Sequence, residues 1–162
     1  MKRNSFNKVI TIVSWTIFIF SIVRILLSYQ SLPNELGVHF ASDGTFDVVS
    51  NKSDYFMIGY PYIMTFVILI ISEIIILCLD KIKVGFKITK EGSLKVKELI
   101  KILINITKLC YTIYLSFIWS ECMISQVNIN STFMSIFVII YLIIVVINFM
   151  LIFKNIIKYK NS

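Results

Sequence analysis

A single histidine, His39, is all the imidazole in this 162-residue chain, and its three cysteines, Cys78, Cys110 and Cys122, share no CxxC or Cys/His spacing. The thiol count is odd and each thiol falls inside an apolar run, which suggests neither a disulfide framework nor a zinc site. No Ser/His/Asp or Cys/His arrangement, nucleophile elbow or phosphate-cradling glycine loop is present. Nothing therefore favours catalysis or a cofactor. Acidic residues are scarce too: nine stand against 16 lysines and arginines, a formal charge of +7. In a water-soluble protein that excess would point to nucleic acid, yet these lysines sit between apolar runs and not on one basic face. They read as topology signals.

Hydrophobicity is what the chain has in quantity, at 57% of residues and a mean hydropathy of +0.85. A soluble core could not absorb that much apolar surface. A hydrocarbon layer about 30 Å thick needs roughly 20 apolar residues in helix, because every backbone group must be satisfied within the segment. Four stretches qualify: 9–29, 56–79, 102–124 and 133–153. They predict an all-α membrane protein, a four-transmembrane-helix bundle forming a single membrane domain over 1–162. Lys2, Arg3 and Lys8 before the first stretch could also head a signal peptide, but Ser28-Tyr29-Gln30-Ser31 lacks small residues at both cleavage-determining positions, so an uncleaved helix is expected.

Lysine and arginine accumulate on the untranslocated side. The head carries Lys2, Arg3 and Lys8, the loop 80–101 carries seven lysines, and the tail carries Lys154, Lys158 and Lys160, whereas the other connections hold only Lys52. Both termini and the loop 80–101 are expected in the bacterial cytoplasm, with the loop 30–55 and the connection 125–132 outside. Tyr29, Tyr55, Tyr60, Tyr62 and Trp119 should then gather at the outer interface. Pro61 fits either the first turn of the second helix or a kink.

Four charges fall within the spans, Arg24, Glu73, Lys108 and Glu121, where each costs about 2.5–3.5 kcal/mol near the centre unless partnered. Matching depth predicts an ion pair between Glu73 and Lys108, while Arg24 and Glu121, both toward the outer face, could pair across the first and third spans or snorkel to water. Asn105, Lys108, Thr112, Ser116 and Ser120 recur at steps of three and four, one stripe of a helix. Thr11, Ser14, Ser21, Arg24 and Ser28 give the first helix a polar side. The fourth span has only Ser135, Tyr141 and Asn148 and should flank a bundle whose interior lies among the first three. Such stripes serve close packing and hydrogen bonding, or a hydrophilic pathway.

The loop 30–55 is the most distinctive segment. Leu32-Pro33, His39-Phe40, Gly44, Asp47 and Lys52 follow the spacing LPxxxxxHFxxxGxxDxxxxK. That pattern resembles the bacterial membrane family catalogued as domain of unknown function 1648, which also forms the N-terminal part of Sdp-type toxin immunity proteins. The resemblance covers the first two spans and the loop between them. Gly37, Ala41 and Asn51 depart from the family's usual residues, and the Arg-Thr-Pro-Trp stretch of the longer immunity proteins has no counterpart. The resemblance implies a binding, sensing or immunity-like role in which the loop meets an extracellular peptide or toxin. The alternative is a small transporter, or accessory subunit, using a polar seam among the first three helices.

His39 with Asp43, Asp47 and Glu35 is a poor metal set, short of histidines and thiols for zinc and of dense carboxylates for calcium. A hairpin is expected instead. A three-residue turn ending on a left-handed Gly44 would pair Ala41 with Thr45, Phe40 with Phe46, His39 with Asp47 and Val38 with Val48. Phe40 and Phe46 would rest on the helix ends. In the loop 80–101, Ile82, Val84, Phe86 and Ile88 alternate with Lys81, Lys83 and Lys87 as a short strand on the inner leaflet, with a helix resuming near Leu94.

Overall fold

The computed structural model describes residues 5–41, 43–82 and 88–160. Four long helical stretches carry the chain: α1 (Ser5–Ser28), α2 (Tyr55–Leu79), a continuous rod of α3 (Lys90–Tyr111), a π-helical stretch (Thr112–Ile118) and α4 (Trp119–Ser125), and α5 (Ser131–Lys158). All four are long and apolar enough to cross a membrane. A two-stranded antiparallel sheet, β1 (Glu35–Phe40) and β2 (Phe46–Asn51), is inserted between α1 and α2. The third rod begins at Lys90, four residues earlier than expected, because the Thr89 hydroxyl accepts the Gly92 N–H and starts the helix there. The alternating run over 81–90 lies largely outside the described residues.

The buried faces of the helices mix polar with apolar residues, and the outward faces are oily. On α1 the buried stripe is Asn7, Ile10, Ser14, Phe18, Ser21, Ile25 and Ser28, while Leu26 and Leu27 face outward. On α2 the stripe includes Ile58, Tyr62, Thr65, Leu69, Ser72 and Ile76, with Ile74 and Leu77 outside. Small and hydroxyl residues let these backbones approach closely. Their hydroxyls return to their own helices: Ser14, Ser21, Thr65, Ser72, Thr112 and Ser116 each donate to the carbonyl four residues back.

The π-helical stretch explains how the third rod keeps one face buried. Its turns are closed by i→i+5 bonds such as Trp119 N–H to Tyr114 C=O. They hold more residues than an α turn, so positions four apart, which drift around an α-helix, stay in line. Asn105, Lys108, Thr112, Ser116 and Ser120 are all 0–1% exposed as a result.

Helices α1, α2 and the third rod pack on one another, whereas α5 packs chiefly on α3. The fourth span adds little polarity, as expected: Tyr141 shares a hydrogen bond with Thr107 at 3.1 Å, and the buried Asn148 leaves its Oδ1 unpartnered. The end of α5 is fastened to the start of α3. Thr89 N–H donates to the Tyr159 carbonyl at 2.9 Å, Ile88 bridges to Lys160, and a Cβ on Gly92 would lie 2.3 Å from that of Tyr159. Pro61 is the seventh residue of α2, an interior site and not the first turn. It removes the N–H that would have reached the Met57 carbonyl.

Candidate functional site

The motif residues converge on the hairpin and its mounting. Gly44 takes φ +87°, the left-handed turn position, and a Cβ there would meet the Ile129 carbonyl oxygen at 2.2 Å. That contact is a designed approach: Ile129 N–H donates to the Gly44 carbonyl at 2.9 Å, joining the hairpin tip to the connection before α5. Ala41 N–H reaches the Thr45 carbonyl at 2.8 Å and Phe40 faces Phe46, as the turn chemistry predicts.

Beyond those rungs the register departs from expectation. His39 stands opposite Val48 and Gly37 opposite Val49, with irregularities on both sides of His39, so the expected His39–Asp47 and Val38–Val48 rungs are absent. The cause lies at Val38. Its side chain is buried and its carbonyl accepts the Trp119 indole N–H at 3.1 Å, which takes Val38 out of the ladder and leaves Asp47 as the unmatched residue of β2. The His39 and Asp47 side chains meet all the same, Nδ1 to Oδ1 at 2.6 Å, with both side chains about half exposed.

The aromatic side rests on a helix end, as expected. Phe40 stacks on Phe46 with centroids 4.4 Å apart and meets Trp119 edge-on at 5.7 Å. Trp119 and Tyr62 are buried at 7% and 8% exposure, so these two expected interface rings act inside the protein, while Tyr55 and Tyr60 do face outward. Tyr62 and Ser120 share a hydrogen bond. Nearby, Arg24 Nε lies 3.2 Å from Glu121 Oε1, so of the two alternatives the structure shows the pair, and Arg24 also donates to Ser28.

Lys52 closes the loop at its base. Its ammonium donates to the carbonyls of Gln30 and Leu32 at 2.9 and 3.0 Å and lies over the Tyr29 ring, and its N–H donates to the Asn34 carbonyl at 2.7 Å. Pro33 sits between the Leu32 and Asn34 carbonyls that Lys52 binds. At the turn, Asp43 accepts from the Thr45 hydroxyl and N–H, which holds its carboxyl below the ordinary range.

Sequence reasoning missed the receiving side of this mounting. Gln126, left-handed at φ 52°, accepts the Gly37 N–H at 3.2 Å, and Asn128 accepts the Phe46 N–H at 3.4 Å. Neither carries a sequence signal, since each is a polar residue in a short connection. The hairpin, connection and α5 together enclose a cleft of about 590 Å³, lined by Ala41, Gly44, Tyr114, Ile129, Ser135 and Val138 among others. Tyr114 and Val138 also line a smaller pocket of about 280 Å³ that ends at Tyr141.

A second polar site lies at depth. Lys108, fully buried, donates to Glu73 Oε1 at 2.6 Å, Asn105 Oδ1 at 2.7 Å and Thr11 Oγ1 at 2.8 Å, and Asn105 donates to Asn7 at 3.0 Å. Three acceptors match the three N–H bonds of an ammonium. Further along α3, buried Lys101 and Lys97 reach the Asp80 carboxylate and carbonyl at 2.6 and 3.2 Å. Among the described residues no three His, Cys, Asp or Glu side chains converge.

Comparison with protein-family models, curated proteins and solved structures finds no match.

Proposed function

We propose that this chain is a multi-pass protein of a bacterial cytoplasmic membrane, with both termini inside, that binds or senses an extracellular peptide through its hairpin in the manner of a toxin immunity protein. The lysine distribution supports the orientation: Lys81, Lys90, Lys95, Lys97, Lys101, Lys154 and Lys158 lie at the end away from the hairpin. The spacing of Pro33, His39, Phe40, Gly44, Asp47 and Lys52 supports the family resemblance.

One observation carries the reading. The hairpin is fixed by hydrogen bonds with Trp119, Gln126, Asn128 and Ile129, yet the paired His39 and Asp47 keep about half of each side chain exposed, with the His39 ring edge-on to Trp119 at 6.1 Å. The competing reading, permeation through the seam among α1, α2 and α3, draws on the buried column from Lys97 to Ser120. It has less support, because the column's ammonium and hydroxyl groups already find acceptors within the protein.

The test is protection. A toxin-sensitive bacterium expressing the chain is challenged with secreted peptide toxins of neighbouring strains, and survival should rise by about tenfold or more against at least one of them. Unchanged sensitivity to every toxin would overturn the immunity reading. Orientation is checked separately with Ser53→Cys and Ser93→Cys, of which only the first should react with an impermeant maleimide in intact cells.

A further inference from the structure

We infer that the cleft between the hairpin tip and α5 is the seat of a cationic peptide, whose apolar side chains enter the cleft while its basic groups face the hairpin. This rests on the binding reading above and names the ligand's chemistry. The cleft exists because α5 leans on α3 through contacts such as Tyr141–Thr107, while the π-helical stretch and the hairpin stand on its other side. Small residues, Ala41, Gly44, Ser131 and Ser135, keep the mouth open, and Tyr114, Val138 and Ile139 supply apolar walls. A volume of about 590 Å³ lies within the roughly 300–1,000 Å³ typical of ligand sites, and the cleft is open along one side, so a side chain of a longer ligand can enter it from the surface.

Charge selects the class. Near the hairpin tip the exposed charges are Asp43 and Asp47, whereas Glu35, opposite Asn51, and Asp54, which caps α2, lie at the loop base with Lys52. Lys52 is held at the loop base by two carbonyls, away from the tip. Asp43 directly precedes the cleft residue Gly44 and is exposed, as is Asp47. Elsewhere the chain is strongly basic, so these acids favour a cationic ligand over an anionic one.

The test uses the full chain in nanodiscs of zwitterionic phosphatidylcholine, with Trp15→Phe so that Trp119, packed on cleft residues Phe40 and Tyr114, is the sole indole. A short synthetic lysine–leucine peptide should produce a saturable change in Trp119 emission, and its glutamate–leucine counterpart should not. Val138→Phe and, from the same wall, Ser135→Phe fill the cleft and should weaken binding about tenfold or more with the unfolding temperature maintained. Asp43→Asn with Asp47→Asn should weaken it too and flatten its salt dependence. Equal binding of the glutamate peptide, indifference to both filling variants, or full displacement of the peptide by an uncharged decyl amphiphile would overturn the inference. Peptide binding of the expected kind without protection in cells removes the immunity reading and leaves the cleft standing. Protection that survives Val138→Phe and Ser135→Phe does the reverse.

Discussion

The two polar regions of this protein use the same kinds of residue to opposite ends. Around Lys108 the side chains of three helices close on one another: the ammonium is 0% exposed and finds carboxylate, amide and hydroxyl acceptors in one shell. At the hairpin the backbone is what is satisfied, by Trp119, Gln126, Asn128 and Ile129, and the charged side chains are left outside. A buried charge network closed in this way fixes how helices meet, because any other arrangement strands a charge. An exposed pair on a pinned backbone does little for the fold. In the proposed reading, the difference separates scaffold from binding face.

The comparison breaks most visibly at Lys108. Lys108→Met leaves Glu73 without its ammonium and should cost about 3–5 kcal/mol of stability, whereas pairing it with Glu73→Gln should restore part of that loss. Unfolding of the two variants in detergent, read by circular dichroism, checks the order. Next comes Gly44→Ala, which forces a side chain into a left-handed turn and against the Ile129 carbonyl and should cost about 1–3 kcal/mol confined to the hairpin mount. Amide exchange should speed up at Phe46 and Ile129 and leave α1 and α2 unchanged. Trp119→Phe keeps a ring beside Phe40 but strands the Val38 carbonyl, a loss of about 1 kcal/mol that should appear in the same amides.

The smallest effect sharpens the contrast at the far end of the molecule. A hydrogen bond from Lys101 holds the Asp80 carboxyl below its ordinary 3.8. A depressed folded-state value means that the contribution is present above about pH 4 and is lost as the pH falls through the folded value. Amide protection at the end of α2 should therefore drop on acidification, and in Asp80→Asn it should be low and independent of pH. Asp80 is well exposed, so the effect stays local.

Much of this arrangement could be read in the residues, and the reasons are physical. Long apolar runs admit one solution, so the four helices were evident to within a few residues. A buried charge demands a partner at its own depth, which makes Glu73–Lys108 legible without coordinates, whereas the more exposed Arg24 and Glu121 could equally have reached water. The Gly44 turn and the Phe40–Phe46 rung follow from local chemistry. What stayed hidden depended on contacts across the chain. The shift at Val38 arises from an indole about eighty residues away, and no spacing within the loop records it. The π-helical stretch has no residue signature, although the run of polar positions four apart was its consequence. The cleft forms between α5 and the hairpin, and its small lining residues look in sequence like ordinary packing positions.

The separation of scaffold from binding face is tested most directly by measuring stability and lysine–leucine peptide binding on the same samples in phosphatidylcholine nanodiscs. The samples are the Trp15→Phe chain, its Lys108→Met/Glu73→Gln derivative and its Asp43→Asn/Asp47→Asn derivative. The account predicts that the deep pair's loss lowers the unfolding temperature and leaves peptide affinity intact at temperatures where the protein is folded, while the hairpin variant keeps its stability and loses affinity. An affinity abolished by the deep substitutions in a still-folded protein, with the hairpin substitutions silent, would contradict it and place function in the buried seam.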